Sequence, residues 1–540
     1  MQAGVKAVEA AASVWTRGHL ITAYALIWLV YFVISTQEVV VRAFSPYVTS
    51  SFSQFSLTAA VSVISSIIAG LTKLPLAKIL DVWGRPQGMS LMLIVWVVGF
   101  IMMAACKDVE TYAAAQVFSL VGAQGISYCI SVFVADTSSF RNRGLMLAFA
   151  TSPYIFTTWI GGPISDRFLA RGGPGWRWGF GIWAIITPAV VLPLILIFLL
   201  STQRAKKQGL IPASRPRLTL RSVRHFAVQF DLFGILLLAA GLALLLTGLS
   251  IWSYQTLRWR APIIICFVVI GAVLIIVFAL YEHFLAPVKF IPMHLLGDRT
   301  VLAAGLMLFF VFFNSAVWGS YFISMLMVVW GQSITHATYI SNIYRTGSCF
   351  SALVLGYAIR RSGRFRWVAL YFALPLMILG VGLMIHFRQP DADIGYVVMT
   401  QIFVAFAGGP IVIAAEMAMM APMEHQHLAT ILAILDLFGS VGYAVGSAVA
   451  AAIWTGTFHP ALVKHLPAKA PLELIYSSIY SQLGYPMGSP TRIAISLAYG
   501  EAQRYMLITS VCSLAAAVAC VFFWRDIRVA SIHQNKGNVV

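Results

Sequence analysis

Long apolar stretches follow one another along almost the whole chain, and each is about as long as a helix that crosses a bilayer. Residues 89–105, 235–251 and 263–280 are clear examples. The alternation over about ten residues that is typical of a membrane β-barrel does not occur in the sequence. The pattern therefore predicts an all-α polytopic membrane protein. Its fourteen predicted membrane helices lie at about 20–43, 56–77, 87–106, 111–135, 143–165, 177–200, 231–252, 261–283, 301–330, 335–358, 367–387, 395–420, 428–455 and 502–524.

A short polar loop occurs twice in this series. Residues 77–85 follow the second apolar stretch, and residues 356–364 follow the tenth. Both loops consist of a small residue, three spacers, a charged residue, two further spacers and Gly-Arg. A polar hinge that recurs between paired apolar helices is typical of a transporter built from two related halves.

The spacing of the apolar stretches also predicts a domain organisation. The stretch 301–330 is long for one membrane helix, and Asn314 and Gly319 permit a kink or break within it. The loop 456–500 is expected to be ordered and extracellular because it is long, aromatic and proline-rich. The predicted units are a tail 1–19, a six-helix bundle 20–200, a basic linker 201–229, an inserted helix pair 230–284, a second six-helix bundle 285–525 that contains the loop, and a tail 526–540.

The charge of the chain points to membrane orientation. Sixty per cent of the residues are apolar and 10% are charged, yet the formal net charge is +18. Many positive charges lie in the segments 204–224 and 360–366, whereas segments at the opposite ends of the helices carry fewer. This asymmetry follows the positive-inside rule, so the basic segments are expected to be cytoplasmic. The distribution of the positive charges argues against a nucleic-acid partner, and contact with lipid headgroups is the alternative to a role in orientation.

The first polar loop resembles the signature loop of the major facilitator superfamily. Asp81, Gly84 and Arg85 match the core of that signature, and Ala77 stands where the family usually has glycine. The second loop resembles the weaker echo in the other half, with Arg360 in place of the acidic residue. Fourteen helices with an inserted pair resemble the larger fungal-type and drug-antiporter-like branches. The resemblance implies two six-helix bundles plus an inserted central pair.

Two further stretches resemble the fungal siderophore–iron transporters. These are Pro46 to Leu57, after the first helix, and Tyr485 to Met506, before the last. The drug-efflux signature is incomplete, because 116–122 contains no arginine and Gly162-Pro163 is not followed by paired glycines. The resemblance therefore implies a proton-coupled importer of ferric siderophores that works by alternating access. A proton-coupled exporter or exchanger of drugs or organic anions on the same fold is the alternative.

Ionisable side chains inside membrane helices are functional candidates, because a charge in a bilayer is costly. Glu38 and Arg42 lie four residues apart on one helix face. They form either a local ion pair, or Glu38 is a proton-coupling carboxylate whose protonation responds to Arg42. Asp436 has apolar neighbours and is either a proton site or a structural contact of Arg345. Glu416 is a further proton-coupling candidate, although a structural pairing is expected for it.

The first hinge predicts a conformational latch. Asp81 lies near a helix start, and its expected partners are Arg85, Arg141 and Arg143. With Gly84, these residues can hold the two halves in one conformation and release them in another. The alternative is a role in topology and loop packing.

Polar and aromatic positions on the core helices suit a large, partly apolar ligand with a few hydrogen-bonding edges. Each of them also has a structural interpretation, because most aromatic residues of membrane proteins pack helices or face lipid. In the loop 456–500, Tyr485 and Arg492 are the expected gate residues. The substrate-binding candidates are Arg42, Tyr128, Tyr154, Trp159, Asn314, Trp318, Tyr321, Tyr344, Arg345 and Gln401.

No resident metal or cofactor is expected. The six cysteines show no metal-ligand spacing, and capping is the preferred interpretation of His425 and His427. Iron would be ligated by the oxygens of the siderophore, with protons as the coupling ion. An enzyme is disfavoured, because no nucleophile–base set or cofactor motif is visible. The expected partners are the ferric siderophore and the lipid bilayer, around a monomer in the plasma membrane or, alternatively, an endosomal or vacuolar membrane.

Overall fold

The computed structural model describes most of the chain, and within the described ranges it contains helices and connections but no strand. The prediction of an all-α protein is confirmed. The described ranges are 15–51, 58–169, 173–208, 228, 231–252, 255, 257–287, 297–423, 427–468, 470–477 and 479–529.

Each predicted membrane segment coincides with one helix or with a broken pair of helices. The helices are α1 Arg17–Ser51, α2 Thr58–Val82, α3 Arg85–Ala105, α4 Val109–Thr137, α5 Phe140–Thr151, α6 Tyr154–Leu169, α7 Gly175–Lys207, α8 Leu232–Ile251, α9 Pro262–Phe284, α10 Arg299–Gly319, α11 Phe322–Val329, α12 Ile334–Ser362, α13 Leu374–Phe387 preceded by a π-turn Val368–Ala373, α14 Ile394–Met420, α15 Leu428–His465, α16 Leu472–Ser477, α17 Ile479–Leu483 and α18 Pro490–Phe522.

Ten segments of the described chain are long and apolar enough to cross a membrane. The helices α2, α5 with α6, α8 and α12 are not among the ten. Fourteen crossings therefore remain a prediction.

The helices pack as two bundles that meet along two seams. In the first half, α3 packs on α4 and α7, and α1 packs on α6 and α7. In the second, α10 packs on α15 and α18, and α12 packs on α14. The halves meet where α2 packs on α15 and where α5 and α6 pack on α12. The helices α8 and α9 pack on each other, and α8 also contacts α2 and α15. The predicted domain boundaries stay a prediction.

The predicted break in 301–330 is confirmed, and it lies directly after Gly319. Helix α10 ends there, and Tyr321 caps α11 with a φ of 58°, in the left-handed region that side chains rarely adopt. The fifth predicted segment is also broken, with α5 ending at Thr151 and α6 beginning after Pro153. Two of the predicted membrane helices are thus divided.

The stretch 456–500, predicted as a loop, is largely helical in the described residues. Helix α15 continues to His465, α18 begins at Pro490, and α16 and α17 lie between them. Trp454 and Phe458 of α15 pack against Tyr499 of α18, with ring centroids 5.1 and 4.9 Å apart. The helices therefore extend beyond the predicted bounds because aromatic packing holds them together.

The halves are in close contact at the end of the bundle that carries Arg85, Arg141 and Arg360, called the basic end below. A Cβ atom on Gly356 of α12 would lie 3.1 Å from the Cα atom of Leu145 in α5. Arg141 Nε donates to the carbonyl of Arg360, 3.0 Å away. The structure is therefore a conformation in which the basic end is closed.

We predict that Gly356→Leu weakens closure of the basic end, because α5 leaves no room for a side chain. Gly382→Leu is the matched control, since nothing lies within 4 Å of its Cβ position. Spin labels on Gln203→Cys and Arg361→Cys, in a variant without the six native cysteines, report the separation of the halves. Gly356→Leu should lengthen this distance, and Gly382→Leu should not. The same distance in both variants would contradict a close-packed seam.

Candidate functional site

The central group of charges joins the two halves. Glu38 of α1 accepts a hydrogen bond from Arg345 of α12, with Oε1 and Nη2 2.7 Å apart. Arg42 Nη2 lies 3.3 Å from the same oxygen, and Tyr154 donates to Oε2 at 3.3 Å. The Arg345 guanidinium also lies 5.0 Å from the centroid of the Tyr154 ring. The predicted Glu38–Arg42 pair is confirmed. The shorter contact of Glu38, however, is with Arg345, which belongs to the other half.

The interpretation of Asp436 as a contact of Arg345 is wrong. Asp436 Oδ2 instead accepts from Lys73 Nζ of α2, 2.9 Å away, and this pair also joins the halves. Lys73 is absent from the sequence-based candidates. The sequence does mark Lys73 as a candidate, because it is an ionisable residue inside an otherwise apolar predicted helix.

Glu416 does not show the structural pairing that was expected for it. The half-buried carboxylate makes no hydrogen bond or ion pair with the described residues. It lies close enough to Asp436 and Lys73 to interact with both electrostatically. Glu416, Asp436 and Lys73 therefore form a second group of charges between the halves, called the lysine triad below.

At the first hinge, the described partner of Arg85 is Asp136 at the end of α4. Arg85 Nε and Asp136 Oδ2 are 2.9 Å apart, and both side chains are buried. Gly84 has a φ of 112°, which only glycine adopts readily, so it allows the sharp turn before α3. The side chain of Asp81 lies outside the described residues. The latch stays a prediction, and Asp136 is a carboxylate that it did not include.

The other two latch arginines contact the second half. Arg143 is buried, donates to the carbonyl of Ala135 at 2.8 Å, and lies 4.0 Å from the sulfur of Met420 in α14. Arg141 donates to the carbonyl of Arg360, as described above. The loop after α4 is therefore part of the closed basic end.

The second hinge is built differently from the first. Gly363 has a φ of 69° and ends α12. Arg364 pairs with Asp526 at 3.1 Å, and both side chains are 45% exposed. A buried pair thus holds the first hinge and an exposed pair holds the second.

Several aromatic candidates lie at the seams. Tyr128 is buried and donates to the carbonyl of Ala429 in the other half. Trp159 is exposed, and its ring centroid lies 5.2 Å from that of Tyr339 across the α6–α12 seam. Tyr128 is a structural contact, whereas Trp159 and Tyr154 present ring faces near the central charges.

Other candidates lie inside the second half and away from the seam. Asn314 and Gln401 are fully buried, and their amides approach the sulfurs of Met377 and Met384. Ser510 donates to the Asn314 side chain. These two predicted contacts are wrong, because each side chain points into the core of the second half.

The aromatic candidates of the broken helix have separate roles. Tyr321 stacks on Trp454, with ring centroids 4.1 Å apart. Trp318 is buried, and its ring lies 5.6 Å from that of Tyr344, the neighbour of Arg345. Tyr321 thus belongs to the aromatic cluster of Trp454, Phe458 and Tyr499, while Trp318 and Tyr344 connect the break to the central charges.

Arg388, which the sequence analysis did not single out, stabilises this break. The fully buried side chain donates to the carbonyl of Trp318 at 2.7 Å and to Gln503 Oε1 at 3.2 Å. Gln503 in turn donates to the carbonyl of Ser320. Burial lowers the pKa of Arg388 to about 9, which leaves the guanidinium charged at neutral pH. Its face lies 4.0 Å from the Phe322 ring centroid.

Arg492, a predicted gate residue, lines the cavity described below and is also bound to backbone carbonyls, and its role as a substrate contact stays a prediction. The side chain is buried, and it donates to the carbonyls of Val328 at 2.7 Å and Met327 at 3.1 Å, and to that of Gln482. Tyr485 is half-buried and offers its carbonyl to the same guanidinium at 3.4 Å. The arginine therefore holds α11, α17 and the start of α18 together.

A cavity of about 850 Å³ lies at the end of the second half opposite the basic end. Its lining includes His386, Gln389, Asp391, Met487 and Arg504. All of its lining residues belong to the second half, so the cavity is separate from the charges at the seam.

A metal site is not apparent in the ranges that the structure describes, where no three His, Cys, Asp or Glu side chains form a group. His427 stands at the N-cap position of α15, and His425 lies outside the described residues.

We predict that Asp136→Asn destabilises the protein by about 3–5 kcal/mol, because it removes the buried carboxylate that pairs with the guanidinium of Arg85. Asp526→Asn at the second hinge should cost less than about 1 kcal/mol, since that pair is exposed. Thermal unfolding of both variants in the same detergent compares the two. Equal melting temperatures would contradict this ranking of the hinges.

We predict that Arg492→Gln lowers thermal stability, because the carbonyls of three segments lose their shared donor. Arg504→Gln is the control, since Arg504 is exposed. Limited proteolysis between α15 and α18 should become faster only in Arg492→Gln. Unchanged proteolysis in that variant would show that Arg492 does not hold this region together.

Comparison with known proteins agrees with this architecture. The profile described as Major Facilitator Superfamily matches residues 27–346. Among solved structures, the human organic anion transporter MFSD10 is 13% identical with a TM-score of 0.51, covering 91% of this chain and 98% of that one. The proton:xylose symporter XylE is 12% identical with a TM-score of 0.52, covering 93% and 97%. At these identities the structures support the fold alone.

Curated relatives match the whole length of the chain. The MFS siderochrome iron transporter 1 of Ajellomyces capsulatus is 51% identical, over 100% of this chain and 92% of the relative. The MFS siderochrome iron transporter D of Aspergillus fumigatus is 42% identical, over 99% and 90%. The siderophore iron transporter mirB of Emericella nidulans is 38% identical, over 100% and 89%. The chain is therefore a multi-pass membrane protein that belongs to the major facilitator superfamily and, within it, to the fungal siderochrome iron transporters.

Proposed function

We propose that this chain imports ferric siderophore chelates, driven by protons, through alternating access of its two halves. Relatives named as siderochrome or siderophore iron transporters, 38–51% identical over the whole chain, support the substrate class. The proposed transporter is a monomer in the plasma membrane, with an endosomal or vacuolar membrane as the alternative.

The main support for proton coupling is the ion pair between Glu38 and Arg345. Its two members come from different halves, so its strength depends on how far apart the halves are. Both side chains are partly exposed, which gives protons a route to the carboxylate. A proton on Glu38 removes the negative charge that holds Arg345, so protonation and separation of the halves favour each other.

Alternating access is supported by the uneven contact between the halves. The basic end is closed by Gly356 against Leu145 and by Arg141 against Arg360. Substrate release at that end requires these contacts to separate. The broken helix α10–α11 offers one place for such a movement, because its break at Ser320 is linked through Trp318 to Tyr344.

The surroundings of the central charges suit a bulky chelate. Tyr154, Trp159 and Tyr339 provide ring faces, while Arg345 and Glu38 provide hydrogen-bonding groups. The protein needs no iron ligands of its own in this proposal, because siderophore oxygens surround the metal.

Purified protein in liposomes tests the proposal directly. Uptake of radioactive iron is measured as a ferric trihydroxamate or ferric tris-catecholate chelate, with and without an inward proton gradient. The gradient should accelerate uptake of at least one chelate, and a protonophore should abolish the acceleration. An exporter would instead use the inward proton gradient to move preloaded chelate out of the liposomes, and that result would overturn the proposal.

We predict that Glu38→Gln lowers gradient-driven uptake at least about tenfold, since a charged hydrogen bond contributes about 1.5–3 kcal/mol and each 1.4 kcal/mol is tenfold. Exchange of chelate between the two sides, without a gradient, should be retained because the amide still fits beside Tyr154. The control is Glu473→Gln, whose carboxylate is 83% exposed. Full gradient-driven uptake by Glu38→Gln would rule out Glu38 as the coupling group.

A further inference from the structure

Two ion pairs of described residues join the halves, and they have opposite polarity. In the Glu38–Arg345 pair the first half supplies the acid, whereas in the Lys73–Asp436 pair it supplies the base. The pairs also lie at different levels. Lys73 and Asp436 are nine and eight residues from the ends of α2 and α15 at the basic end. That spacing corresponds to about 12–14 Å along a helix, and Arg345 lies about 25 Å from the end of α12 on the same measure.

The Lys73–Asp436 pair, which lies nearer the basic end, must separate when that end opens. Lys73 is on α2 and Asp436 is on α15, the two helices that form one seam. The buried Tyr128 bonds to the carbonyl of Ala429 two turns nearer the basic end of α15. Among the described residues, Lys73 and Asp436 therefore form the ion pair of this seam that lies nearest the basic end.

The triad has one negative charge too many when all three groups are ionised. Lys73 Nζ is bonded to Asp436, and the carboxylate of Glu416 lies within electrostatic range of both. Two carboxylates then share one ammonium between membrane helices, which is unfavourable unless one of them takes up a proton. Asp436 is 39% exposed, so a proton has access to the triad.

Among the described residues, Lys73 is the cation that interacts electrostatically with Glu416. Arg345 of α12 is paired with Glu38, and Arg143 of α5 donates to the carbonyl of Ala135. Tyr31 of α1 interacts electrostatically with Glu416 and Asp436, and its hydroxyl bonds to Ser127 at 2.8 Å. Helix α8 carries no charged residue. The described charged residues of α3, α4 and α10 lie toward the ends of those helices, at Arg85, Glu110, Asp136 and Arg299. Those of α18 lie in its first half, at Arg492, Glu501 and Arg504, and Arg492 and Arg504 line the cavity at the end opposite the basic end.

We propose that Lys73 is the positioning residue that couples protonation to opening of the basic end. With both carboxylates ionised, the ammonium is attracted by two acids of the second half, and the α2–α15 seam stays closed. When one carboxylate binds a proton, the triad becomes neutral and one attraction is lost. The seam then separates more readily, and loss of the proton closes it again.

This inference rests on the proposed function but can be tested without a cargo. The labels on Gln203→Cys and Arg361→Cys report the open fraction of the basic end in lipid nanodiscs between pH 5 and 8. The open fraction of the otherwise unchanged protein should rise as the pH falls, by about fivefold or more, which is the lower end of typical coupling between two sites.

Three variants of the triad identify the lysine as the coupling residue. Lys73→Gln should remove the pH response, whereas Lys73→Arg should retain it with a shifted midpoint. Glu416→Gln should hold the basic end at the open fraction seen at low pH. The control Arg364→Gln, at the exposed second hinge, should keep the original response.

Two results would overturn the inference. One is an open fraction in Lys73→Gln that depends on pH as it does in the otherwise unchanged protein. The other is a pH dependence of the open fraction in Glu416→Gln with the same midpoint as in the otherwise unchanged protein. If Lys73→Gln does not yield folded protein, the shifted midpoint of Lys73→Arg decides, and an unshifted one counts against the lysine. Failure of the proposed function would appear differently, as a normal pH response in a protein that transports no ferric chelate in liposomes.

Discussion

A charge inside a membrane-spanning bundle must find its partner within the protein, because lipid offers none. In this chain the partners at the centre come from opposite halves. Glu38 meets Arg345, and Lys73 meets Asp436. The electrostatic energy of the centre therefore depends on the position of one half relative to the other. Any change in the protonation of these groups alters the force between the halves.

This dependence requires the rest of each half to be rigid. Buried polar groups inside the halves have partners in the same half, as Nη1 of Arg388 has in the carbonyl of Trp318 and in Gln503. Arg85 and Asp136 form a buried pair within the first half. Arg492 performs the same task at the opposite end of the second half. Because these groups are held within one half, the charges at the seam are the ones that a movement between the halves exposes or separates.

The seam itself combines firm packing with few bonds. Gly356 lets α12 approach α5 closely, and such a contact depends on shape rather than on charge. Two of the described bonds that cross the seam near the basic end come from Arg141 and Tyr128, and each donates to a backbone carbonyl. A carbonyl acceptor does not titrate, so these contacts close the end without responding to pH. In the function proposed above, the response to protons belongs to the carboxylates.

The sequence by itself determined the all-α membrane architecture, the two related halves and the break after Gly319, because hydrophobic period and helix-breaking residues act locally. It also identified Glu38, Arg345, Asp436 and Glu416, because ionisable residues are conspicuous in apolar helices. It could not determine their partners. A contact with Arg345 was one of two interpretations of Asp436, yet Arg345 lies against Glu38 and Lys73 lies against Asp436. The sequence also did not show that Arg492, a predicted gate residue, binds backbone carbonyls. Those outcomes depend on how helices far apart in the chain rotate and pack, and only the tertiary structure decides which faces of α1, α2, α12 and α15 meet.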